Sequence, residues 1–483
     1  MTPSARFTGP DLCRRQAHEV IAMLRTGEIS VRDCLDAAFA RIEAVEPAVN
    51  AMPTRCQERA YAAADRLDRH HPNIALNLAG LPISIKDLTM VAGVRTTFGT
   101  RGFADFVPDS SDPLVARLES RGGIVIGKTN TPEMGAGGNT FNDVFGATRN
   151  PWDTNLNAGG SSGGAAASLA TGEVWLSHGS DHGGSLRTPA CYCGVVGLRP
   201  SPGRAASASP AGFATEGVQG PMARSVRDCA LFLDAMAGHA PALPISYPGP
   251  SADSFETAVI QAATQSAPNL KIGFSRDFNG MAKVDPDVLT HLLDVLGRME
   301  AHGATVEEAC PDLANLERTY YTLRGLDMAV TGRRTPDAVA RHFKQTLQDN
   351  IAFGRRLSAD DIADAQLDRT VIFNNMVAFF ETFDVLACPT VGCMPHPQTE
   401  EWVQQIDGHR LTGYMDWLRF AFLATTTGLP AISVPVGPGP DGLPIGIQLI
   451  GQPRGEAALL AAAQIFETVT GGPANPIDPV ISL

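Results

Sequence analysis

Between Gly159 and Pro189 the chain reads GGSSGGAAASLATGEVWLSHGSDHGGSLRTP, and no other stretch limits the fold as tightly. Ala165 to Ala170 is small and mostly apolar, which suits a helix buried on every side, and Val174 to Leu176 reads as a short buried strand. Glycine-rich turns flank both elements, and each carries a serine, Ser161 and Ser185. Glycine lifts the side-chain barrier to unusual backbone angles and lets a ligand approach main-chain N–H groups. Gly183-Gly184-Ser185 therefore suits a nucleophile beside an oxyanion site. The start of the Ala165 helix points N–H groups and the positive end of its dipole toward Ser161.

The surrounding chain repeats this alternation. Short apolar runs at Ile83 to Ile85 and Ile124 to Ile126 read as strands, and Asp112 to Ser120 reads as a helix. Two helices are expected over residues 11 to 46. One closes near Gly27, and the next opens at Ser30 with Asp33 in a capping box and Val31, Leu35, Ala38, Ile42 and Val45 on one face. Residues 240 to 270, rich in Pro, Ser and Ala, read as a surface excursion before a strand at Lys271 to Ser275. Residues 285 to 383 read as mostly helical, and strands return at Asp384 to Ala387, Ile432 to Val436 and Ile445 to Ile450. The last two are joined by a turn at Pro440-Asp441-Gly442, which predicts a hairpin. No internal repeat of fixed period is present.

A serine needs a base to become a nucleophile. Lys86 lies in GLPISIKD, an alternating strand pattern whose apolar members Ile83, Ile85 and Leu88 can strip water from its amine. A free lysine titrates near ~10.4, and burial lowers that value. Two other readings stay open at this level. Gly160 to Gly164 fits G-x-S-x-G, the nucleophile-elbow pattern, with Ser162 as nucleophile, although Asn150 to Asn157 before it reads as loop rather than strand. His178 and His182 have the i, i+4 spacing of a metal pair, but the adjacent glycines oppose a shared helical face and no third ligand is evident.

Taken together, Lys86 in GLPISIKD, GGSSGG, GSDHGGSLRTP, CGVVGLRPSPGR from Cys193 to Arg204 and GPMARSVRD from Gly220 to Asp228 resemble the amidase signature family. Its members hydrolyse or transfer C–N acyl bonds with a serine, a second serine bound through a cis peptide, and a lysine. The resemblance implies an α/β fold: a single large domain with a central mixed β-sheet covered by helices on both faces. An N-terminal helical segment, residues 1–70, packs on a domain spanning 71–483, with the catalytic core at 80–230 and a variable helical substrate region at 285–425. The resemblance assigns Ser185 as nucleophile, Ser161 as the cis-bonded relay and Lys86 as terminal base. Backbone N–H groups of His182, Gly183, Gly184 and Ser185 are the implied oxyanion hole. Asp181 and Arg187 are expected to pair and support the loop rather than touch substrate. Three positions depart from the family's habit, which is Thr where Ser180 stands, a small or aliphatic residue at His182, and Lys at Arg199.

Composition narrows the function classes. With 44% hydrophobic and 18% charged residues the chain can bury a sizeable core. A net charge of −13 with no basic run argues against direct nucleic-acid binding. Nine scattered cysteines, an odd number, read as reduced thiols and a cytoplasmic setting. No segment offers ~20 uninterrupted apolar residues for a membrane span. The chemistry calls for no cofactor and no metal; the partner is a small-molecule amide, and a homodimer is compatible with it.

Specificity is expected in Thr131 to Phe145, with Met134 and Gly135, and in the aromatic-rich region from Tyr320 to Phe422, with Trp417. Aromatic groups on the acyl pocket would favour an apolar, aryl or cyclic amide, as in the family's aryl-acylamidase-like and 6-aminohexanoate-cyclic-dimer-hydrolase-like members. A different class within the same resemblance is the A subunit of a tRNA-dependent amidotransferase, which acts in a complex.

Overall fold

A computed structural model of the chain describes residues 6–69, 77–209, 211–241, 243–250, 254–264 and 269–481. Eleven strands form the central sheet. Numbered in chain order they are β1 (Thr54–Arg55), β2 (Pro82–Lys86), β3 (Ile124–Thr129), β4 (Leu176–Asp181), β5 (Val196–Arg199), β6 (Val218–Ala223), β7 (Lys271–Phe274), β8 (Thr305–Glu308), β9 (Val385–Pro389), β10 (Ala431–Pro438) and β11 (Pro444–Ile450). Their order across the sheet is β1-β3-β2-β4-β6-β5-β10-β11-β9-β7-β8. β3, β2 and β4 run parallel, as do β9, β7 and β8, and the pairs between these blocks are antiparallel. The sheet is therefore mixed, with helices covering both faces over two large apolar clusters.

The N-terminal helices follow their sequence signals. Gly27 ends Ala17–Thr26 in the left-handed region, and Ser30 and Asp33 form the capping box of Val31–Val49. Val31, Leu35, Ala38, Ile42 and Val45 are all buried against the core. The domain boundary placed at 70–71 lies outside the described residues. Helix Gly163–Ala170 is buried at every position. Its small side chains are a steric requirement, since a Cβ at Gly164 would lie 2.4 Å from Asn130 N and 2.5 Å from Ala51 O. The predicted hairpin joins β10 to β11, closed by Gly439 N–H donating to Leu443 O at 2.7 Å.

Several elements differ from the sequence expectation. The strand expected at Val174–Leu176 begins at Leu176 and runs to Asp181. Its polar residues are tolerated inside the sheet because they bond to neighbours. Ser177 and Ser84 hydroxyls lie 2.7 Å apart across β4 and β2, and His178 Nε2 lies 2.8 Å from Gln219 Oε1 on β6. Asp153–Asn157, read as loop, is a strand paired with Arg149–Asn150. β8 interrupts the region expected to be helical, as an edge strand whose two glutamates are exposed. Within the expected excursion at 240–270, Phe255–Ala263 is a helix capped by Ser254. β5, β6 and helices Arg187–Cys193 and Glu456–Val469 had no clear periodic signal; Pro189 fits because it sits in the first turn, where its missing N–H is not needed.

Glu467, on the last of these helices, accepts from Val226 N–H at 2.8 Å and so caps helix Val226–Met236. Burial raises its carboxyl from 4.5 to about 7, against the lowering effect of that bond. The folded chain thus holds a proton that the unfolded chain releases between about 4.5 and about 7, and this stabilisation is lost as pH rises through that window. The full effect is on the order of 3 kcal/mol. Glu467→Gln is expected to flatten the fall in urea midpoint between pH 5 and pH 7 relative to the parent chain; parallel curves for the two proteins would contradict this.

Candidate active site

Lys86 closes β2 in the parallel block, flanked by β3 and β4, so its side chain leaves the C-terminal end of a strand buried on both faces. The residue is fully buried. Its Nζ lies 2.7 Å from Ser161 Oγ, 2.8 Å from Ser162 Oγ and 3.1 Å from Ser180 Oγ. No carboxylate reaches it within ion-pair distance among the described residues. Burial lowers its amine from 10.5 to about 7, although the charge of Asp181 pulls the other way. Near neutrality the group is therefore divided between ammonium, which donates to all three hydroxyls, and amine, which accepts a proton from one of them.

The three serines are not equivalent. Ser161 follows a cis Gly160–Ser161 peptide bond and faces a cavity of about 300 Å³ that Ser180 and Ser185 also line. Ser162 is fully buried behind them, outside that lining, and its Oγ donates to Ser180 O at 3.3 Å. The elbow reading, with Ser162 as nucleophile, fails on access. It fails despite the strand found at Asp153–Asn157, because that strand belongs to a separate two-stranded ribbon and not to the central sheet. Ser185 is tied to this group through the backbone, its carbonyl accepting from Ser162 N–H at 3.2 Å.

Asp181, at the end of β4, organises the loop that carries Ser185. Its carboxylate accepts from Gly184 N–H at 3.2 Å, Leu186 N–H at 3.0 Å and Arg187 Nη2 at 2.8 Å, and Arg199 Nη1 lies 3.3 Å away while donating to the Asp181 carbonyl at 2.8 Å. Burial alone would raise this carboxyl. The charges of Arg187 and Arg199 and the donated bonds outweigh that and hold it well below the usual carboxylate range. The pairing of Asp181 with Arg187 is the one anticipated; Arg199 joins it, as no sequence argument foresaw. The Gly184 N–H, among the expected oxyanion donors, is thereby engaged by Asp181. The N–H groups of His182, Gly183 and Ser185 meet no acceptor among the described residues. A side chain at Gly183 would put its Cβ 2.5 Å from Tyr320 Oη, so glycine is required there by packing.

The rest of the cavity is framed by the helix Leu316–Arg334 and by loops around 134–135, 201–219 and 243–245. His182 Nε2 lies 3.0 Å from Asp327 Oδ2. His178 points elsewhere, to Gln219, and burial lowers its ring to about 3, so it is neutral. The two histidines do not converge, and no cluster of three His, Cys, Asp or Glu side chains able to hold a metal occurs among the described residues. Met134 and Gly135 line the cavity. Trp417 does not. It is 2% exposed, stacked near Tyr192 and edge-on to His396, and Tyr320 and Phe422 stack on each other in the same core. The apolar part of the wall is aliphatic and thioether instead: Leu88, Met134, Met328 and Val218. Gln219, Arg324 and Asp327 complete it with polar groups that sequence reasoning missed, since each sits in a stretch with no motif.

Comparisons with known proteins extend over nearly the whole chain. The Amidase family model matches residues 33–460. The chain is 34% identical to an acylamidase of Rhodococcus erythropolis, covering 94% of this chain and 95% of that protein. It is also 34% identical to the glutamyl-tRNA(Gln) amidotransferase A subunit of Moorella thermoacetica, covering 94% and 96%. A bacterial aryl acylamidase of the amidase signature enzymes superposes with a TM-score of 0.87 at 27% identity, covering 95% of this chain and 97% of that one.

Asp181→Asn is expected to leave Arg187 and Arg199 buried without their counter-charge and to destabilise the fold by about 3–5 kcal/mol. Urea denaturation at pH 7 measures this. A loss below about 1 kcal/mol would mean that the arginines find other partners.

Proposed function

This chain belongs to the amidase signature family and is an amide-hydrolysing enzyme, and from that premise we propose that it works through an acyl-enzyme on Ser185 with Ser161 and Lys86 as proton relay. The observation that carries the reading is the Lys86 amine, fully buried and 2.7 Å from Ser161 Oγ, with Ser161 and Ser185 on the wall of one cavity. Neutral Lys86 takes the Ser161 proton as Ser161 takes that of Ser185, and the Ser185 oxygen attacks the amide carbon. The carbonyl oxygen becomes an oxyanion, within reach of the unengaged N–H groups of His182, Gly183 and Ser185. On collapse the C–N bond breaks and the nitrogen leaves with a proton returned from Lys86 through Ser161. Water then attacks the Ser185 ester by the same relay, releasing the acid and restoring the hydroxyl.

The buried Asp181 pair supports this cycle from outside. With its carboxylate saturated by two arginines and two N–H groups, Asp181 fixes the nucleophile loop without forming an ion pair with Lys86. A cavity of about 300 Å³ is at the small end of ligand sites and suits a small-molecule amide. Its Leu88, Met134, Met328 and Val218 wall favours an apolar, aryl or cyclic skeleton by aliphatic contact, not by the aromatic stacking expected from Trp417. No helix among the described residues is long and apolar enough to cross a membrane. All nine cysteines are free thiols, and on that ground we place the enzyme in the cytoplasm. Similarity to amidotransferase A subunits keeps a partner-dependent role as the second reading; turnover of simple amides by the isolated chain separates the two.

A fluorophosphonate probe is expected to label Ser185 in the purified protein, read by peptide mass spectrometry. Lys86→Met should slow labelling by about 10²–10⁴-fold, the range of a general base. Label on Ser162, or equal rates in the two proteins, would contradict the mechanism.

A further inference from the structure

Arg324 projects from the helix Leu316–Arg334 onto the wall of the same cavity and is 5% exposed. Among the described residues no carboxylate lies within ion-pair distance of it. Its side chain donates to the Tyr414 hydroxyl, whose ring also lies under the guanidinium at 5.7 Å, and its buried Nε meets no acceptor among the described residues. One turn earlier on that helix, Tyr320 Oη is likewise buried without a partner. The buried arginines beside the Ser185 loop behave differently: Arg187 and Arg199 share Asp181.

A buried cation without a counter-ion is costly, because the interior replaces water's solvation only when an opposite charge or a set of acceptors is supplied. Asp327, three residues on and also in the cavity wall, does not supply it, since its Oδ2 faces His182 Nε2. Among the described residues the cavity wall thus holds one guanidinium that has no carboxylate partner and keeps donors beyond its bond to Tyr414, a planar group suited to binding a carboxylate.

We infer that Arg324 is the anchor for a carboxylate carried by the amide substrate, so that the enzyme acts on amides of acids or amines bearing a second, free carboxyl group on a short apolar skeleton. This rests on the serine reading above and extends it from the reacting bond to the far end of the substrate. Arg324 acts by placing the amide carbonyl over Ser185, and Leu88, Met134 and Met328 on the same cavity wall accommodate the apolar part of the substrate.

Two charged probes, the mono-4-nitroanilide of glutaric acid and 4-acetamidobenzoate, are compared with their uncharged counterparts, 4-nitrobutyranilide and acetanilide. At least one charged probe is expected to show a kcat/KM tenfold or more above its counterpart. Arg324→Met should cut turnover of that charged probe at least tenfold more than turnover of the neutral one, mainly through KM, and Arg324→Lys should recover part of the difference. Fluorophosphonate labelling of Ser185 in each variant reports whether the fold and relay are intact. Equal or better turnover of both neutral amides, an equal loss on both members of a pair, or no turnover of any probe by an enzyme that labels at Ser185 would overturn the anion assignment alone. Absence of the Ser185 label in the parent protein would overturn the serine reading on which it rests.

Discussion

A lysine amine held out of water among three serine hydroxyls sets the terms for the rest of this molecule. A permanent ammonium in that position would have to be paired, and the one acidic group among the described residues whose charge bears on it, Asp181, is already engaged by Arg187, Arg199 and two backbone N–H groups. The result is an amine that is partly neutral near pH 7. Much of the central sheet serves this arrangement. β2, β3 and β4 run parallel so that their C-terminal ends gather at one side, and the all-buried helix Gly163–Ala170 comes close enough to bring Ser161 and Ser162 to the amine.

The same separation of charges runs through the cavity. Anionic Asp181 is neutralised from behind and Asp327 faces His182, while Arg324 has no counter-ion among the described residues. A site built this way has its reactive end nearly neutral and its far end positive. In the proposed reading that polarity orients a substrate before chemistry begins, with the apolar Leu88, Met134 and Met328 on the same wall.

Much of the candidate site was legible in the sequence, and the reasons are local. Ser161, Ser185 and Lys86 lie in glycine-rich or strand-patterned runs whose chemistry is carried by the residues themselves, and Asp181 and Arg187 are close in sequence. What could not be read depends on contacts across the fold. Ser180 and His178 lie on a strand that looks polar in isolation and becomes buried only because β2 and β6 supply partners. Trp417 looked like a pocket residue by type, yet packing decides its place, and it stacks beside Tyr192 in the core. Arg324 sits in a helix with no motif, far along the chain from the Ser185 loop, and only the folding of that helix over the cavity brings the two together. Strands β5 and β6 are short and rich in glycine and proline, so tertiary pairing and not alternation defines them.

The central claim is that Lys86 is a base near neutrality, and its protonation can be observed without turnover. In protein labelled with ¹³C at lysine Cε, the Lys86 resonance, identified by its absence in Lys86→Met, is expected to titrate with a midpoint of about 7. A Lys86 resonance that stays in its ammonium position to about pH 9 or above would contradict the account, leaving Ser161 without a base and requiring another group to take its proton.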